Sequence, residues 1–299
     1  MTNTREYHSG FIAIVGRPNV GKSTLLNALV GEKVAIVSNR PQTTRNRLMG
    51  VVCGDGYQMV FVDTPGIHTP RTQLGNFMMQ AVQEGMEGID ALTVLVDVTA
   101  VGANDRQIAE KMAKKKVPTL LLLNKIDLVE PQELLRIIDI FKDMGFKAIL
   151  PISAKSGDGL DALRAELLQC LPVGPQYFPN DMVTDQPERV LCAELIREKA
   201  LRHLRDEVPH GIGIEILRME KKNDNLVEIH ADIYCERDSH KAIIIGKKGT
   251  MLATIGKEAR IDIESLLGMR TNLQLWVKVR PDWRNSKADL RTLGYDNRE

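Results

Sequence analysis

Residues 16–23 read GRPNVGKS, and this stretch decides the fold of the first half of the chain. It fits the pattern G-x-x-x-x-G-K-[ST], and it lies between an apolar strand-like run at 11–15 and a helix-like segment at 25–30. This is the setting in which the pattern forms a phosphate-binding P-loop. Main-chain N–H groups wrap the phosphates, and the positive end of the following helix adds to the attraction.

The polar residues of this loop have separate predicted roles. Lys22 can reach the β- and γ-phosphates, and the Ser23 hydroxyl can bind Mg²⁺. A glycine-rich turn that fits the pattern by chance is the alternative, which the strand–helix setting disfavours. We expect nucleotide contacts from the whole loop and the residue after it: Gly16, Arg17, Pro18, Asn19, Val20, Gly21, Lys22, Ser23 and Thr24.

Strand-like and helix-like segments continue to alternate up to residue 170. The strand-like runs lie at 60–63, 92–97, 119–124 and 148–152, with helix-like stretches at 104–115, 132–143 and 160–170. Alternation predicts an α/β domain with a mostly parallel sheet and helices on both faces. Three prolines and a glycine in 171–180 predict a linker. We place the first domain at 8–173 and the linker at 174–189.

The sequence DTPG at 63–66 comes directly after the strand-like run Val60 to Val62. Asp63 fits a carboxylate that holds Mg²⁺ directly or through water, and the Gly66 N–H could contact the γ-phosphate. An ordinary turn is the alternative, since D-x-P-G is common turn chemistry, but the preceding P-loop favours the functional interpretation. Thr64, Pro65 and Ile67 complete this predicted stretch of nucleotide contacts.

Two further strand ends predict specificity for guanine. NKID holds Asn124, Lys125, Ile126 and Asp127, and SAK holds Ser153, Ala154 and Lys155. The Asp127 carboxylate can accept hydrogen bonds from guanine N1 and its exocyclic amino group, which adenine cannot donate as a pair. The main-chain N–H groups of SAK can reach guanine O6. A lone N-K-x-D fits a solvated loop, but four such elements in order at strand ends predict a GTP and GDP site.

These residues resemble the G1, G3, G4 and G5 motifs of the translation-factor-related GTPases. PQTTR at 41–45 lies where that family has switch I, and the resemblance implies a threonine that binds Mg²⁺ only in the GTP state. We favour Thr44, although the neighbouring Thr43 leaves the assignment open. The predicted catalytic set is Lys22, Thr44, Asp63 and Gly66, and the predicted metal set is Ser23, Thr44 and Asp63.

One position departs from the Ras-like pattern. Ras-like proteins have a water-orienting glutamine directly after the D-x-x-G glycine, where this chain has Ile67. Because isoleucine cannot orient water, we expect slow intrinsic hydrolysis, with the water placed by switch I, a bound ion or a partner. In GTPases with a similar loop, the residue matching Asn19 helps to bind K⁺; turn stabilisation is the equal alternative here.

A second block begins after the linker, with the predicted order α-β-β-α-α-β over 190–207, 213–220, 227–236, 239–267 and 273–279. Its charge is polarised: 182–240 holds 9 basic and 13 acidic residues, and 241–299 holds 12 and 7. This fits one face that meets an anionic polymer or, alternatively, a solvated helix face. We expect Trp276, on the last strand, to pack rather than to stack on bases.

A G-x-x-G loop divides the helical stretch of this block. Two lysines and two glycines allow close approach to a sugar-phosphate backbone, although such a loop alone is more often a helix–helix turn. In this element order it resembles the loop of a type II KH domain, which clamps about four nucleotides of single-stranded RNA. We place that domain, with a C-terminal tail, at 190–299. The predicted RNA contacts are Ile245, Gly246, Lys247, Lys248, Gly249 and Thr250.

The chain as a whole resembles the Era-like GTPases. The strings that carry the resemblance include GRPNVGKST, PQTTR, DTPGIH, NKID, SAK, IREKAL, IGKKG and TIGKEAR. The resemblance implies a ribosome-assembly factor that binds the 3′ region of small-subunit ribosomal RNA and the small subunit, with peripheral contact to the cytoplasmic membrane. The longest apolar runs are too short for an integral membrane protein. We expect a cytoplasmic monomer.

The sequence also fits two other functions. One is a constitutive RNA-binding module in which GTP is a structural ligand and hydrolysis is incidental. The other is a GTPase that acts in RNA modification, although the chain has no obvious partner domain for such chemistry. The leading hypothesis is a switch in which the γ-phosphate orders loops that control RNA binding.

Overall fold

The computed structural model describes residues 6–38, 40 and 42–295. Its contacts divide the chain into two compact units. The first holds the chain up to Ala35, Thr44–His68 and Met78–Asp185; the second holds Ile36–Thr43, Thr69–Phe77 and the chain from Gln186 onward. Pro41 of the predicted switch I and residues 296–299 of the predicted C-terminal domain lie outside the described residues.

A six-stranded sheet forms the centre of the first unit. Its strands are β1 (His8–Gly16), β2 (Leu48–Gly54), β3 (Tyr57–Asp63), β4 (Ala91–Asp97), β5 (Thr119–Asn124) and β6 (Ala148–Ile152). The order is β2-β3-β1-β4-β5-β6, and all neighbours are parallel except β2 and β3. Every residue of β4 and β5 is buried, as expected for strands covered on both faces. The predicted α/β fold is confirmed.

The helices that follow these strands are α1 (Lys22–Val30), α2 (Gln73–Glu84), α3 (Ala103–Ala113), α4 (Pro131–Phe141) and α5 (Leu160–Leu168). Neither α2 nor β2 was predicted. The run LMGVVCG of β2 contains two glycines and lacks the alternation that marks an edge strand, yet it pairs with β3 over its whole length. Tertiary pairing therefore outweighs local propensity at this edge.

The proline-rich segment after α5 packs on the first unit. The Ser9 hydroxyl donates to Pro175 O at 2.6 Å, and the Gln58 side chain donates to Phe178 O at 2.8 Å. The Val51 N–H donates to Val183 O at 3.0 Å. The prolines end the helical pattern, as expected, but the segment up to Asp185 is tied to the sheet.

The second unit has the element order α-β-β-α-α-β, followed by a short helix. Its elements are α6 (Glu188–His203), β7 (Gly213–Asn223), β8 (Leu226–Cys235), α7 (Asp238–Ile245), α8 (Thr250–Leu267), β9 (Arg270–Val279) and α9 (Lys287–Thr292). The sheet order is β7-β8-β9, with β7 antiparallel and β9 parallel to β8. Ile196, Ile229 and Ile263 are fully buried in its core. The predicted order is confirmed, and α6 ends four residues before the predicted helix end.

Candidate functional site: a guanine-nucleotide cleft and a G-x-x-G groove

The carboxyl ends of the parallel strands bring the predicted nucleotide residues to one edge of the sheet. Strand order reverses around β1, whose neighbours are β3 and β4, and such a switch point opens a ligand crevice. Asp97 and Asn124 are register partners at the ends of β4 and β5, and Asn124 is paired with Ile152 at the end of β6. The residues that follow β1, β3, β5 and β6 are those of the four motifs.

The P-loop needs glycine where it passes into α1. Gly21 has a left-handed conformation with φ 104°, and a Cβ there would lie 2.3 Å from the Asn124 amide nitrogen. Glycine also has no side chain to cap the helix, so the first main-chain N–H groups of α1 can bind phosphate.

Lys22 lies in the phosphate cradle with its ammonium group on main-chain oxygens. Its Nζ donates to Arg17 O at 2.8 Å and to Gly16 O at 3.2 Å. Burial lowers the pKa of Lys22 to about 8, although the nearby Asp63 carboxylate opposes that shift. A buried, weakly compensated ammonium group is suited to bind a multiply charged phosphate chain.

Three oxygen groups meet beside the cradle and fit a Mg²⁺ ion. The Ser23 hydroxyl donates to Asp63 Oδ2 at 2.8 Å, and Thr44 Oγ1 lies 2.8 Å from Ser23 Oγ. Asp63 Oδ1 is buried and has no hydrogen-bond partner among the described residues. Hydroxyl and carboxylate oxygens are the ligands that Mg²⁺ prefers, so Ser23, Thr44 and Asp63 would hold the ion, which would neutralise phosphate charge when bound.

Burial raises the pKa of Asp63 to about 6, despite the opposing effects of Lys22 and of hydrogen bonds from Ser23 and Thr44. The orphaned oxygen and the raised pKa have the same physical cause, a carboxylate removed from water without a full set of partners. A divalent cation at this position would supply the missing charge.

The two switch I threonines have different positions. Thr43 Oγ1 donates to Arg40 O at 2.6 Å, which ties it to its own loop. Thr44 Oγ1 instead lies at Ser23, and 3.5 Å from Asp63 Oδ2. Only Thr44 is therefore placed with the other candidate metal ligands.

The DTPG segment lies directly against the P-loop. A Cβ on Gly66 would lie 2.6 Å from the main-chain N and Cα of Pro18, so no larger residue fits without displacing the loop. The Ile67 N–H donates to Gly16 O at 3.0 Å, while its side chain packs against the apolar core. The Thr64 hydroxyl donates to Ile14 O at 2.9 Å, which is a structural contact.

Asn124 connects three loops of the cleft. Its Nδ2 donates to Val20 O at 2.7 Å, its Oδ1 accepts from the Ala154 N–H at 2.9 Å, and the residue is 2% exposed. The Ala154 N–H that was predicted to reach guanine O6 is thus bonded to Asn124 in this structure. Asp127 is exposed, and its Oδ1 accepts from the Ser153 hydroxyl at 2.7 Å, which orients the carboxylate for a base.

Asp97 is a site residue that sequence analysis missed. Lys125 has a left-handed backbone with φ 73°, and its Nζ donates to Asp97 Oδ2 at 2.5 Å and to Asn19 O at 3.1 Å. Burial alone would raise the pKa of Asp97, but hydrogen bonds from Lys125 and Thr99 hold it below its usual range. The available signal was an acid at the end of β4, beside the strand that carries NKID.

Not every predicted loop residue points to the ligand space. The Arg17 guanidinium donates to Asp105 Oδ1 at 2.6 Å and to Ala100 O at 2.7 Å, so it ties the P-loop to the start of α3. Val20 is 1% exposed and belongs to the core. Both help to hold the loop in place.

The G-x-x-G loop of the second unit joins α7 to α8 and is exposed at Lys247 and Lys248. Gly246 has φ 72°, and a Cβ there would lie 2.7 Å from Met251 Cβ, so glycine is needed for the tight turn. Lys248 also has a positive φ, of 52°. The loop therefore presents two lysines on a fixed, strongly bent backbone.

A groove of about 450 Å³ runs beside this loop, between α8 and β9. Its lining combines apolar and cationic side chains with two glycines: Gly249, Leu252, Ala253, Gly256, Lys257, Arg260, Leu273 and Leu275. A Cβ on Gly256 would lie 3.3 Å from Leu275, so a large residue there would fill the groove. Lys257 and Arg260 were not predicted, because nothing in a helical pattern marks them as groove residues.

Trp276 is 44% exposed, contrary to the expected packing, and makes an edge contact with the His230 ring, with centroids 5.3 Å apart. It lies on β9 but is not among the groove residues.

Two family models match this chain, one in each of the regions that hold the cleft and the groove. The family model for 50S ribosome-binding GTPases matches residues 11–125, and the KH-domain model matches residues 207–284. The chain is 52% identical over 291 residues to GTPase Era of Ruminiclostridium cellulolyticum, which covers 97% of this chain and 98% of that protein. It is 52% identical over 296 residues to GTPase Era of Clostridioides difficile, covering 98% and 100%.

The chain belongs to the GTPase Era family. It is therefore a GTPase, and its cleft binds GTP and GDP. A crystal structure of Era in complex with MgGDPNP and nucleotides 1506–1542 of 16S ribosomal RNA has a TM-score of 0.92, with 41% identity over 97% of this chain and 99% of that one. An Aquifex aeolicus Era variant bound to GDP and AlF4⁻ also has a TM-score of 0.92 and 41% identity, with 96% of this chain covered.

The two family models match the regions that hold the two sites. The P-loop, Asp63 and Asn124 lie within the matched GTPase region, Asp127 and the SAK loop at 153–155 lie beyond its end at residue 125, and the G-x-x-G groove lies within the matched KH region. No helix within residues 6–38, 40 and 42–295 is both long and apolar enough to cross a bilayer.

Proposed function

We propose that this Era-family GTPase binds the 3′ region of small-subunit ribosomal RNA in a nucleotide-dependent way, and so assists small-subunit assembly and ribosomal RNA maturation. The observation that carries the proposal is the groove beside Lys247 and Lys248, in a chain that also holds a guanine-nucleotide cleft. A relative of nearly equal length was solved with that part of 16S ribosomal RNA, which supports the choice of ligand.

The groove has the chemistry that single-stranded RNA requires. The loop lysines can meet phosphates, while the apolar lining from α8 and β9 can accept base faces. Lys257 and Arg260 add charge along the same helix. We propose that bases lie along the groove and that the backbone crosses the Gly246–Gly249 loop.

Salt dependence of RNA binding tests this proposal directly. The substrate is a labelled RNA with the sequence of the 16S 3′ region, and the variant is Lys247→Ala with Lys248→Ala. Each lost phosphate contact should reduce the slope of log affinity against log salt by about 0.7 for a single strand. Lys114→Ala with Lys115→Ala, two adjacent exposed lysines in the first unit, gives the same charge change as a control. An equal slope for both variants would contradict RNA binding at the loop.

Nucleotide dependence requires a second comparison. RNA affinity is measured with GDP and with a non-hydrolysable GTP analogue on the full chain. A ligand shifts an equilibrium only by its differential affinity for two states, so the two affinities must differ if the nucleotide controls RNA binding. Equal affinities would leave a GTPase that binds RNA constitutively.

The roles of the cleft residues follow from their positions. We propose that Lys22, Thr44, Asp63 and Gly66 act on the γ-phosphate side, that Ser23, Thr44 and Asp63 hold Mg²⁺, and that Asp127 selects guanine. To test the metal assignment, nucleotide affinity is measured as a function of Mg²⁺ concentration for Asp63→Asn and for the unaltered protein. An equal dependence of affinity on Mg²⁺ in the two proteins would contradict the assignment.

Hydrolysis should be slow without help, because Ile67 packs on the core where a glutamine would orient water. Asn19 has a left-handed backbone with φ 65°, and we propose it as part of a K⁺ site beside the phosphates. Turnover measured in KCl and in NaCl at equal ionic strength tests this role. Equal rates would leave Asn19 as a turn residue.

We further propose a cytoplasmic monomer with peripheral contact to the inner face of the membrane, on the strength of the family resemblance. Sedimentation velocity measures the oligomeric state, and co-sedimentation with vesicles of anionic phospholipid measures the membrane contact. A stable dimer would contradict the monomer. Protein that stays in the supernatant when the vesicles are pelleted would contradict the membrane contact.

A further inference from the structure

Three consecutive charged residues of α6 are buried. Arg197, Glu198 and Lys199 are 0%, 1% and 3% exposed. Buried charges are costly unless each has a partner, and replacing buried ion pairs by apolar residues is often neutral for stability. Lys199 is satisfied by Glu198, at 3.0 Å, and by a bond to Asp262 of α8. Glu198 and Arg197 make further contacts, which lie in the switch I segment.

Arg197 and Glu198 bind the main chain of the switch I segment. The Val37 N–H donates to Glu198 Oε1 at 3.0 Å. Arg197 donates through Nη2 to the carbonyl oxygen of Thr43, and through Nη1 to that of Gln42 at 3.5 Å. All these residues belong to the second unit.

The Arg197 guanidinium is itself held in place. Its Nε donates to Glu194 Oε1 at 2.8 Å, and its Nη2 also contacts that carboxylate. The planar fork is therefore oriented from one side by a carboxylate and directed at main-chain carbonyls on the other. Because main-chain atoms are the target, the contact fixes backbone position whatever the side chains of the loop are.

The position of this bond relative to Thr44 is decisive. The carbonyl of Thr43 and the N and Cα of Thr44 belong to one planar peptide unit, so a donor that fixes the oxygen restricts the start of Thr44 as well. Within the first unit, Thr44 Oγ1 lies 2.8 Å from Ser23 Oγ and 3.5 Å from Asp63. Arg197 thus acts one peptide bond away from a proposed metal ligand.

We propose that Arg197 is a positioning residue for GTP hydrolysis: it holds the peptide between Thr43 and Thr44 so that the Thr44 hydroxyl is presented on the γ-phosphate side of the cleft. The inference rests on the proposed role of Thr44. Arg197 is fully buried and contacts main-chain carbonyls, so its role is positioning rather than catalytic.

The test compares Arg197→Met with Arg197→Lys in the full chain. Methionine fills the buried space without a donor, so turnover and affinity for a GTP analogue should fall about 10- to 100-fold, the range expected when a charged hydrogen bond is lost. GDP affinity should stay within about twofold. Lysine keeps a charged donor that reaches one carbonyl and should restore part of the loss.

A matched control is available on the same helix. Arg189 in the first turn of α6 also donates to a main-chain carbonyl, that of Ile216 on β7. Arg189→Met removes the same kind of bond away from the switch I segment, so both nucleotide affinities and turnover should stay unchanged. A loss equal to that of Arg197→Met would mean that any loosening of α6 suffices, and would overturn the inference.

A double-mutant cycle decides whether Arg197 acts through Thr44. If it does, Thr44→Ala with Arg197→Met should lose no more activity than the worse single variant, since coupled residues are non-additive. Multiplied losses would overturn the inference. Thr44→Ala alone tests the underlying role: if it leaves GTP preference unchanged, the proposed function of Thr44 fails; if only Arg197→Met is without effect, the inference alone fails.

Hydrogen exchange gives a readout that does not depend on activity. The Thr44 amide should exchange faster in Arg197→Met and in Arg197→Lys than in the unaltered protein, with the GTP analogue bound. Unchanged exchange at this amide in both variants would contradict a positioning role, even if one of them folds poorly enough to lose turnover.

Discussion

Replacing Asn124 by alanine should loosen the nucleotide cleft from within. The side chain has an amide NH2 and a carbonyl oxygen, and both groups are used: Nδ2 donates to Val20 O at 2.7 Å, and Oδ1 accepts from the Ala154 N–H at 2.9 Å. At 2% exposure the residue has little access to water. Alanine would leave a carbonyl of the P-loop and an amide of the SAK loop without partners.

The size of the effect follows from these two bonds. A buried polar group left unsatisfied costs about 1–3 kcal/mol, so two such groups give about 2–6 kcal/mol. Water entering the vacated space would recover part of this, and we expect a loss of about 3 kcal/mol in the free energy of unfolding of the first unit. Guanine-nucleotide affinity should fall at least tenfold, since about 1.4 kcal/mol of misplacement gives that factor.

The assay must report on the correct unit. Both tryptophans, Trp276 and Trp283, lie in the second unit, so their fluorescence would not report on unfolding of the first unit. Urea unfolding is therefore followed by circular dichroism, and nucleotide affinity by a fluorescent GDP analogue. Asn104→Ala, on the exposed surface of α3, is the matched control. An Asn124→Ala protein that unfolds within about 0.5 kcal/mol of the control and binds GDP within about twofold would refute this reasoning.

The remaining predictions concern charge and close packing in the cleft. Because the pKa of Asp63 is raised to about 6, Mg²⁺-supported nucleotide affinity should fall as the pH drops below 6. The same carboxyl stabilises the fold below its ordinary pKa, and that contribution to the free energy of unfolding is lost as the pH rises through 6. A nucleotide affinity that stays constant between pH 5 and 7 would argue against the first expectation. Lys22, with a pKa of about 8, should lose phosphate affinity as pH rises through 8, seen by calorimetric titration of GDP. Gly66→Ala should slow turnover through about 1–3 kcal/mol of overpacking, whereas Gly88→Ala, with open space around it but a left-handed φ of 64°, should lower stability and leave turnover unchanged. Asp97→Asn should weaken GDP binding roughly tenfold through loss of a charged partner, and unchanged binding would remove Asp97 from the site.

Motifs at strand ends could be predicted because two independent regularities coincide there. Parallel strands place their carboxyl ends together, and the chemistry of phosphate and guanine needs particular residues in loops. Lys22, Asp63 and Asn124 therefore meet as expected. Thr43 and Thr44 are adjacent and chemically identical, so the sequence does not decide which of them joins the set.

Contacts that depend on tertiary packing could not be predicted. Asp97 has no motif of its own and gains its role from the register of β4 with β5. Arg197, Glu198 and Lys199 look like the solvated face of a helix, since charged residues are seldom buried without partners. Their partners are distant in sequence, so the burial becomes apparent only in the folded chain.

The division of the chain into units has a consequence for exchanging parts between relatives. Residues 36–43 and 69–77 precede most of the first unit in sequence yet group with the C-terminal unit. A chimera joined once, near residue 186, would pair Arg197 from one parent with the Thr43 carbonyl environment of another. A functional transplant therefore needs three inserted pieces: residues 36–43, residues 69–77 and the chain from residue 186 onward.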